Sequence, residues 1–372
     1  MVTVKPKLLA EIKELGAFDV SACYSCGTCT ALCPLSEENH EFPRKLIRYA
    51  MVGDEKKILM STEPWLCYYC GECTRTCPRG ADPAGFMMAL RRYLTTKYDF
   101  SGFSKLFYRS KKIEILAGSL LFFLTVLIVY LFHGPIVLSS VDLDSFAPLH
   151  IVELGDIIVI ILLSSLLLTN IYRMFRFTVM WSKKSKIPVS TYFKELFKTL
   201  PLHFFTQKRT LKCENGRIDW IMHILIVYGY ATLFLLGVFL LDLWQTNTLY
   251  PIYNPVRLAS YIAAAALMIG AGYGIYGRVK KNSTMRQYSH STDWYFLTLL
   301  YLVVITGIAV TIFKYMDYPM ETYVIYTIHF GFVVPLLILE VPFAKWSHLA
   351  YRPFAIYFTR LKDAVAKKAS IS

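Results

Sequence analysis

Six apolar stretches after residue 112 restrict the fold of this chain more than any other feature. They cover residues 113–132, 151–172, 221–241, 258–276, 294–313 and 323–344. Each has about the 20 residues that a helix needs to cross a bilayer, and most lack the polar face of a soluble helix. With 55% hydrophobic residues, the chain is too apolar for one soluble domain. The stretches therefore predict six transmembrane helices.

Basic residues are distributed unevenly among the loops that join these stretches. Loop 134–150 has no Lys or Arg and loop 244–257 has only Arg257, whereas loops 173–217 and 278–286 are rich in both. Lys and Arg concentrate on the cytoplasmic side of membrane proteins, and the basic loops fall on the side of the N-terminal segment. We expect a multi-pass protein of the cytoplasmic (inner) membrane with both termini in the cytoplasm. The net charge of +14 then reflects topology rather than nucleic-acid binding.

Two cysteine runs precede the apolar stretches. Each has the spacing C-x2-C-x2-C-x3-C-P, ending at Pro34 and at Pro78. This spacing is typical of bacterial ferredoxins that hold two [4Fe–4S] clusters, in which the fourth cysteine of a run ligates the other cluster. The predicted ligands are Cys23, Cys26, Cys29 and Cys77 for cluster 1, and Cys67, Cys70, Cys73 and Cys33 for cluster 2.

Zinc and disulfides are the alternatives for these cysteines. Paired C-x-x-C knuckles bind zinc, but zinc needs neither the third cysteine of each run nor the Cys-Pro ending. Disulfides need an oxidising compartment, and the charged N-terminus lacks the apolar core of a signal peptide. Both observations favour iron–sulfur clusters in the cytoplasm. The ninth cysteine, Cys213, lies in a basic loop and is expected to be an unligated thiol.

The chain is expected to be all-α, with an α-helical ferredoxin domain followed by a six-helix transmembrane bundle, which the histidines and the resemblance described below indicate to be a cytochrome b. Residues 1–110 form the first domain. It is expected to be helical, because residues 42–60 have apolar residues at helical spacing and the two cysteine runs stand too far apart for a compact β-type ferredoxin. Residues 111–350 form the membrane domain and 351–372 a basic cytoplasmic tail. Residues 188–210 are aromatic and basic, which predicts an amphipathic surface helix or an ordinary loop.

Histidines near or inside the predicted spans are candidate haem ligands, because ionisable residues are expensive there. His223 begins the third span and His348 follows the sixth, so the two lie at the same membrane face and can ligate one haem from opposite sides. His329 precedes His348 by 19 residues, roughly 28 Å along a helix. That separation suggests a second, outer haem.

The second ligand of the outer haem is less defined. His150 is preferred because it lies one turn from Glu153, and His133 is the alternative at that depth. His203 and His290 lie at the cytoplasmic face and could replace or supplement the inner pair. For each histidine, the competing interpretation is a hydrogen-bonding residue at the membrane interface.

Carboxyl groups also occur within the spans, at Asp156 and Glu340. Glu340 lies about two turns before His348, where a proton relay or a quinone contact competes with a structural role. Pro335 and Pro342 are expected to kink the sixth span.

Two resemblances cover nearly the whole chain. CYSCGTCTALCP and PWLCYYCGECTRTCPRGADP resemble the ferredoxin-like C subunits of heterodisulfide reductases. RIDWIMHILIVYGY and the segment from His329 through Pro342 to His348 resemble the cytochrome b subunits of membrane-bound heterodisulfide reductase and the nitrate reductase gamma subunit. In the nitrate reductase relative, two helices supply two histidines each and hold two b haems. Here Leu233 stands where the fourth histidine would fall, so one or two haems are expected.

The resemblance implies a membrane electron-transfer subunit that exchanges electrons with a quinone, expected to be menaquinone, through haem b. It also implies a cytoplasmic partner subunit with a CCG domain or a flavin. The chain has no CCG motif and no Gly-rich dinucleotide fingerprint, so the substrate chemistry would belong to that partner. The alternatives are the membrane anchor of another dehydrogenase, of the fumarate or hydrogenase type, and a zinc-binding membrane sensor without haem.

Overall fold

Every regular element is helical in the part of the chain that the structure describes. The computed structural model describes residues 4–36, 42–181, 187–208, 211, 216–281, 283–287 and 289–369. The all-α prediction is confirmed for these residues. Cys213, expected to be a free thiol, lies outside them.

The N-terminal segment, called the cluster domain here, is built from eight short or medium helices. They are α1 (Leu8–Lys13), α2 (Thr28–Ala31), α3 (Arg44–Met51), α4 (Glu55–Leu59), α5 (Glu63–Leu66), α6 (Glu72–Arg75), α7 (Pro83–Tyr98) and α8 (Phe103–Arg109). The longest, α7, begins where the Asp82 side chain accepts a hydrogen bond from the Gly85 N–H, which caps the first turn. Its buried face carries Phe86, Leu90 and Leu94, which form the centre of the domain.

Residues 42–60, which have a helical pattern throughout, form two helices, and the break lies at Gly53. Gly53 has φ +75°, and a Cβ there would approach the Lys5 carbonyl oxygen to 2.6 Å. The Lys5 N–H donates to the Gly53 carbonyl at 2.9 Å, which joins the N-terminus to the break. Glycine is therefore required both by the backbone angle and by the close contact.

Six helices are long and apolar enough to cross a membrane. They are α9 (Lys111–Phe132), α11 (Leu149–Phe175, extended by a π-helical turn to Met180), α13 (Gly216–Phe239), α14 (Pro255–Lys280), α16 (Ser291–Tyr315) and α17 (Pro319–Pro335, with its span continuing to Phe343). Each includes most of one predicted apolar stretch. Their outward side chains are exposed and apolar, as expected for surfaces that contact lipid.

The sixth span does not continue as one regular helix. After Pro335 the chain forms a π-helical turn (Leu336–Glu340), a short α18 (Val341–Phe343) and a 3₁₀ turn (Lys345–Ser347). Pro342 has no N–H to donate, which explains an irregularity at this point. His348 consequently begins a separate helix.

That helix, α19 (His348–Ala369), contains most of the segment predicted to be a basic tail. Tyr351, Ala355 and Leu361 on α19 are fully buried in one hydrophobic core with α7 of the cluster domain and the end of α11. The Tyr351 ring lies 5.3 Å from the ring of Trp65 in the cluster domain. The cluster domain and the membrane helices are therefore joined through a shared core.

Three further helices lie outside the spans. They are α10 (Leu143–Phe146), α12 (Val189–Thr206) and α15 (Thr284–Gln287). For residues 188–210 both a helix and a loop were open, and the structure has α12. This helix packs against α19 and leaves Phe193, Phe197 and Phe205 exposed along one side. Such an aromatic stripe suits a helix at a membrane surface.

Candidate functional site

The two cysteine runs have the same local backbone. In each run the second cysteine stands between two residues of positive φ: Ser25 (62°) and Gly27 (95°) in the first, Tyr69 (61°) and Gly71 (81°) in the second. Positive φ is uncommon for Ser and for the bulky Tyr. The short helices α2 and α6 follow at once, so Cys29 and Cys73 occupy corresponding first-turn positions. The repeat curls the backbone around the thiols in both runs.

The second run and the last cysteine of the first run come together. Cys33, Cys67, Cys70 and Cys73 line one cavity, closed by Leu35, Phe42 and other apolar side chains. Burial, with a contribution from the neighbouring Cys67 and Cys70, raises the pKa of the Cys33 thiol to about 11. A positively charged metal centre is needed to hold such thiols as thiolates.

The first run lies nearer the surface. Cys26 is exposed, and Cys23 and Cys29 are half-buried. Hydrogen bonding to Thr28 lowers the pKa of Cys26, whereas burial raises the pKa of Cys29. All eight cysteines of the two runs are free thiols, so the disulfide alternative is not what the structure has.

Cys67 is tied to the rest of the molecule by polar contacts. The Tyr69 N–H donates to the Cys67 Sγ at 3.3 Å. The guanidinium groups of Arg91 and Arg352 both donate to the Cys67 carbonyl, Arg352 at 3.1 Å. Arg352 lies on α19, one turn after His348, so it links the second cysteine run directly to the membrane part.

A second cavity, called the inner cavity here, is lined by residues of both the cluster domain and the membrane helices. Its volume is about 250 Å³, and His223 on α13 and His348 on α19 both line it. Tyr68 and Tyr69, which lie between Cys67 and Cys70, line both this cavity and the cysteine cavity. The inner cavity therefore adjoins the cluster 2 residues.

The structure brings His223 and His348 together as the sequence suggested. Their ring centres are 6.5 Å apart. An imidazole nitrogen lies about 2 Å from a metal that it ligates, so two rings on opposite sides of one ion hold their centres about 6 Å apart. The pair is spaced to hold one metal between them.

The protonation of these rings also suits ligation. The Lys345 carbonyl can only accept, so His348 donates from Nδ1 and keeps the lone pair on Nε2. Burial lowers the pKa of His348 to about 3, with Lys345 and Arg352 contributing, so the ring is neutral. His223 Nδ1 is buried and has no hydrogen-bond partner among the described residues. His348 thus presents a neutral ring to the cavity, and His223 a buried nitrogen without a hydrogen-bond partner.

The inner cavity has an excess of positive charge. Six cationic side chains and two carboxylates line it: Arg91, Arg92, Arg278, Arg286, Lys345 and Arg352, against Asp219 and Asp293. Arg286 pairs with Asp219 at 2.6 Å, and Lys345 pairs with Asp293. The remaining charge makes the cavity suited to an anionic ligand.

The other two histidines of this face have different surroundings. His203 lines a small cavity with His223 and His348, next to the pair. His290 instead caps α16: its ring accepts from the Thr292 N–H at 3.3 Å, and the Asp293 side chain accepts from the His290 N–H. That is a helix-capping role.

His329 lines a third cavity, the outer cavity, on the side away from the cluster domain. This cavity has a volume of about 530 Å³ and is mostly apolar, with Asp156 and Tyr326 among its polar members. Leu233 lines the same cavity. The position where the nitrate reductase relative has its fourth histidine thus lies at the same cavity as His329.

The structure does not bring the predicted partners to His329. His150 is exposed at the start of α11 and is not among the residues that line the outer cavity. The His133 ring is stacked on Phe146 at 5.3 Å, and its Nδ1 contacts the Gly134 carbonyl at 2.6 Å. In the described residues that line this cavity, His329 is the one histidine.

Several residues near the sites were not singled out from the sequence. Arg352, Tyr68 and Tyr69 join the cysteines to the inner cavity. The available clue for Arg352 was its position one turn after His348, and for the tyrosines their position between two cysteines.

Two buried carboxyl groups also lie near the sites. Glu114 on α9 is 1% exposed and Glu340 is fully buried. Neither Glu114 oxygen, nor Glu340 Oε1, has a hydrogen-bond partner within the described ranges.

Comparisons with known proteins support the iron–sulfur assignment. Residues 19–81 match the family model described as a 4Fe-4S dicluster domain. A protein of Archaeoglobus profundus, named as similar to the C subunit of heterodisulfide reductase, is 39% identical over 94 residues, which are 25% of this chain and 50% of that protein. This chain therefore spans about half the length of that relative. No solved structure matches the chain.

The chain is thus an iron–sulfur electron-transfer module joined to six membrane-type helices. The family match accounts for both cysteine runs and supports iron–sulfur clusters rather than zinc. The relative's name agrees with the resemblance that the cysteine runs carry. The family match ends at residue 81, before the first of the membrane-type helices.

Proposed function

We propose that this protein is the membrane electron-transfer subunit of a heterodisulfide-reductase-like respiratory complex, linking a quinone pool to a partner on the cytoplasmic side. The observation that carries the proposal is the inner cavity. It places a histidine pair of metal-ligand spacing directly against the second cysteine run, with Arg352 lining the cavity and contacting Cys67. A redox chain needs such adjacency between its carriers.

The crossed ligand assignment is part of the proposal. Cys67, Cys70, Cys73 and Cys33 would hold cluster 2, and Cys23, Cys26, Cys29 and Cys77 would hold cluster 1. The shared cavity of Cys33 with the second run supports the crossing. Hydrogen bonds to cluster sulfur influence reduction potentials, so the Tyr69 N–H on Cys67 Sγ would tune cluster 2.

His223 and His348 would hold one haem b, and the neutral His348 ring and the buried, unpartnered His223 nitrogen fit that role. Haem b supplies reversible one-electron transfer when bound. The cationic side chains of the inner cavity would pair with its carboxylate groups, Arg278 and Arg352 in particular. His203 lies beside the pair and remains an alternative ligand.

The residues also suggest an order along the molecule. The exposed Cys26 lies in the first run, where a partner protein can reach it, whereas Tyr68 and Tyr69 hold the second run against the inner cavity. The partner would be a soluble subunit with a CCG domain or a flavin, bound near the first run. The basic loops favour a cytoplasmic cluster domain, and menaquinone is the expected quinone.

The test is cofactor content after anaerobic purification of the full chain. We expect about eight irons in clusters for the eight cysteines, and a reduced-minus-oxidised spectrum typical of haem b. His348→Leu should abolish the haem spectrum and leave the cluster iron unchanged. His203→Leu is the matched control and should retain the haem.

Haem retained in His348→Leu but lost in His203→Leu would move the ligand to α12. Absence of haem from the wild-type protein, with about two zincs per chain, would refute the proposed function altogether. Co-purification of a CCG or flavin subunit would support the proposed partner, whereas a fumarate- or hydrogenase-type partner would favour the alternative role.

A further inference from the structure

The outer cavity does not fit a second haem with two histidine ligands. His329 on α17 and Leu233 on α13 both line it, whereas His150 is exposed and does not line it. A haem with two axial histidines needs a histidine nitrogen on both sides of the iron. Among the described residues that line the cavity, His329 is the one histidine.

Thr306 determines how His329 presents its ring. The Thr306 hydroxyl donates its one proton to the Leu302 carbonyl at 2.7 Å, so it accepts from His329 Nδ1 at 2.9 Å. His329 therefore carries its proton on Nδ1, and Nε2 is left with a lone pair. Gly307 lies against the ring, where a Cβ would come to 3.1 Å from Cε1. The ring is held in one orientation as a hydrogen-bond acceptor.

Further polar groups line the same cavity. Tyr326 precedes His329 by one helical turn and donates to the Gln245 side chain at 3.0 Å, and Asp156 also lines the cavity. The rest of the lining is largely Leu, Val, Ile and Phe. The cationic members are Arg257 and Lys314, which donate to backbone carbonyls. An apolar pocket with a few polar groups that fix orientation is the usual form of a small-molecule site.

The outer cavity also adjoins the inner one. Tyr230 and Trp346 line both cavities, and their rings are 6.0 Å apart. A ligand beside His329 would therefore be separated from the His223 and His348 pair by two aromatic rings. A ligand of the outer cavity would thus lie next to the first site.

We propose that the outer cavity binds the head group of an isoprenoid quinol in place of a second haem. One hydroxyl of the quinol donates to His329 Nε2, the ring lies against Leu233, and the other hydroxyl is directed to Asp156 and Tyr326. The apolar lining receives the first units of the tail. This inference rests on the proposed function, because it gives the quinone of that function its binding site.

The test uses the full chain in lipid nanodiscs, with haem content and menadione binding measured separately by pyridine haemochrome and equilibrium dialysis. We expect one haem per chain and saturable menadiol and menadione binding in the wild type. His329→Leu should weaken menadiol binding about tenfold, the loss of one hydrogen bond, with the haem unchanged. Leu233→His should raise haem to two per chain and abolish menadione binding.

Two outcomes would overturn the inference. The first is that the wild-type chain holds two haems and loses one of them in His329→Leu or in the control His150→Leu. The second is that the wild type and His329→Leu bind menadiol equally. If Leu233→His fails to fold, the His329→Leu measurement decides alone. Failure of the proposed function would give a different result, namely wild-type protein without haem. Menadiol binding to the wild type and to His329→Leu could still be compared in that case.

Discussion

The inner and outer cavities are lined in part by the same helices, α13, α14 and α16, yet they offer different chemistry. The inner one has a pair of histidines and surplus positive charge, next to the cluster domain. The outer one is about twice as large and mostly apolar, and among the residues described it is lined by a single histidine, with Arg257 and Lys314 as its cations. A helix framework of this kind can hold either a ligated metal or an organic molecule, and the number of histidines is one difference between the two sites.

The supporting residues differ in the same way. His348 is oriented by a backbone carbonyl and surrounded by cations, whereas His329 is oriented by a threonine hydroxyl and a glycine. The first arrangement suits a cofactor that carries negative carboxylates. The second suits a neutral ligand that exchanges between the cavity and the membrane.

The largest effect is expected at the crossing of α13 and α14. A Cβ at Gly270 would meet the Met222 carbonyl at 2.8 Å, beside His223. Gly270→Leu should push the helices apart and remove most of the inner haem, measured by haemochrome. Gly155→Leu is the control, because a Cβ there meets nothing within 4 Å. Full haem in Gly270→Leu would mean that the crossing does not position His223.

Arg352 should affect the inner cavity and not the outer one. Arg352→Gln removes a positive charge beside His348 and a donor to the Cys67 carbonyl. The oxidised, more positive haem is then favoured, and its midpoint potential should fall by about 60 mV, a tenfold change in equilibrium. Potentiometric titration measures this shift, and exposed Arg360→Gln should show none. A change in menadione affinity in Arg352→Gln would contradict the separation of the two cavities.

Gly307→Ala should weaken only the outer site. The new methyl would lie 3.1 Å from the His329 ring, which must move. We expect menadiol binding to fall about threefold, with haem content unchanged, because the hydrogen bond would be weakened rather than lost. Gly237→Ala is matched, because Gly237 lines the same cavity and its Cβ would meet nothing within 4 Å. Equal losses in both variants would show that the effect is not specific to His329.

The smallest effect concerns acid stability on the cluster-domain side. Burial lowers the pKa of His290 to about 4, with Arg92 contributing. Because the folded pKa lies below the unfolded value of about 6.5, stability is fully present above pH 6.5 and falls as pH drops toward 4. The loss is at most about 1.4 kcal/mol per pH unit. His290→Asn should keep the α16 cap and flatten the acid dependence of thermal unfolding; an unchanged dependence would exclude His290.

Much of the fold could be predicted because periodicity and length are local properties. The six apolar stretches indicated six long helices, and the structure has helices over each of them. The cysteine spacing indicated a dicluster domain, which the family match supports. Pro335 and Pro342 indicated the irregular end of the sixth span, and the structure has it there. The break at Gly53 was missed, because it depends on a contact with Lys5.

The candidate site divides in the same way. Residue types and helix direction were sufficient to pair His223 with His348, because His223 begins the third predicted span and His348 follows the sixth at the same end. They were not sufficient for His329, whose expected partner His150 lies elsewhere. Depth along a helix says nothing about which way a side chain faces around it.

By itself the sequence determined the chemistry of the cysteines, the helical class and the depth of each histidine, since these follow from spacing, hydropathy and length. Only the tertiary structure decided that Arg352 reaches Cys67, that α19 joins the cluster domain to the membrane helices, and that Leu233 shares a cavity with His329. Those contacts depend on helix rotation and crossing, which are set by packing between residues far apart in the chain.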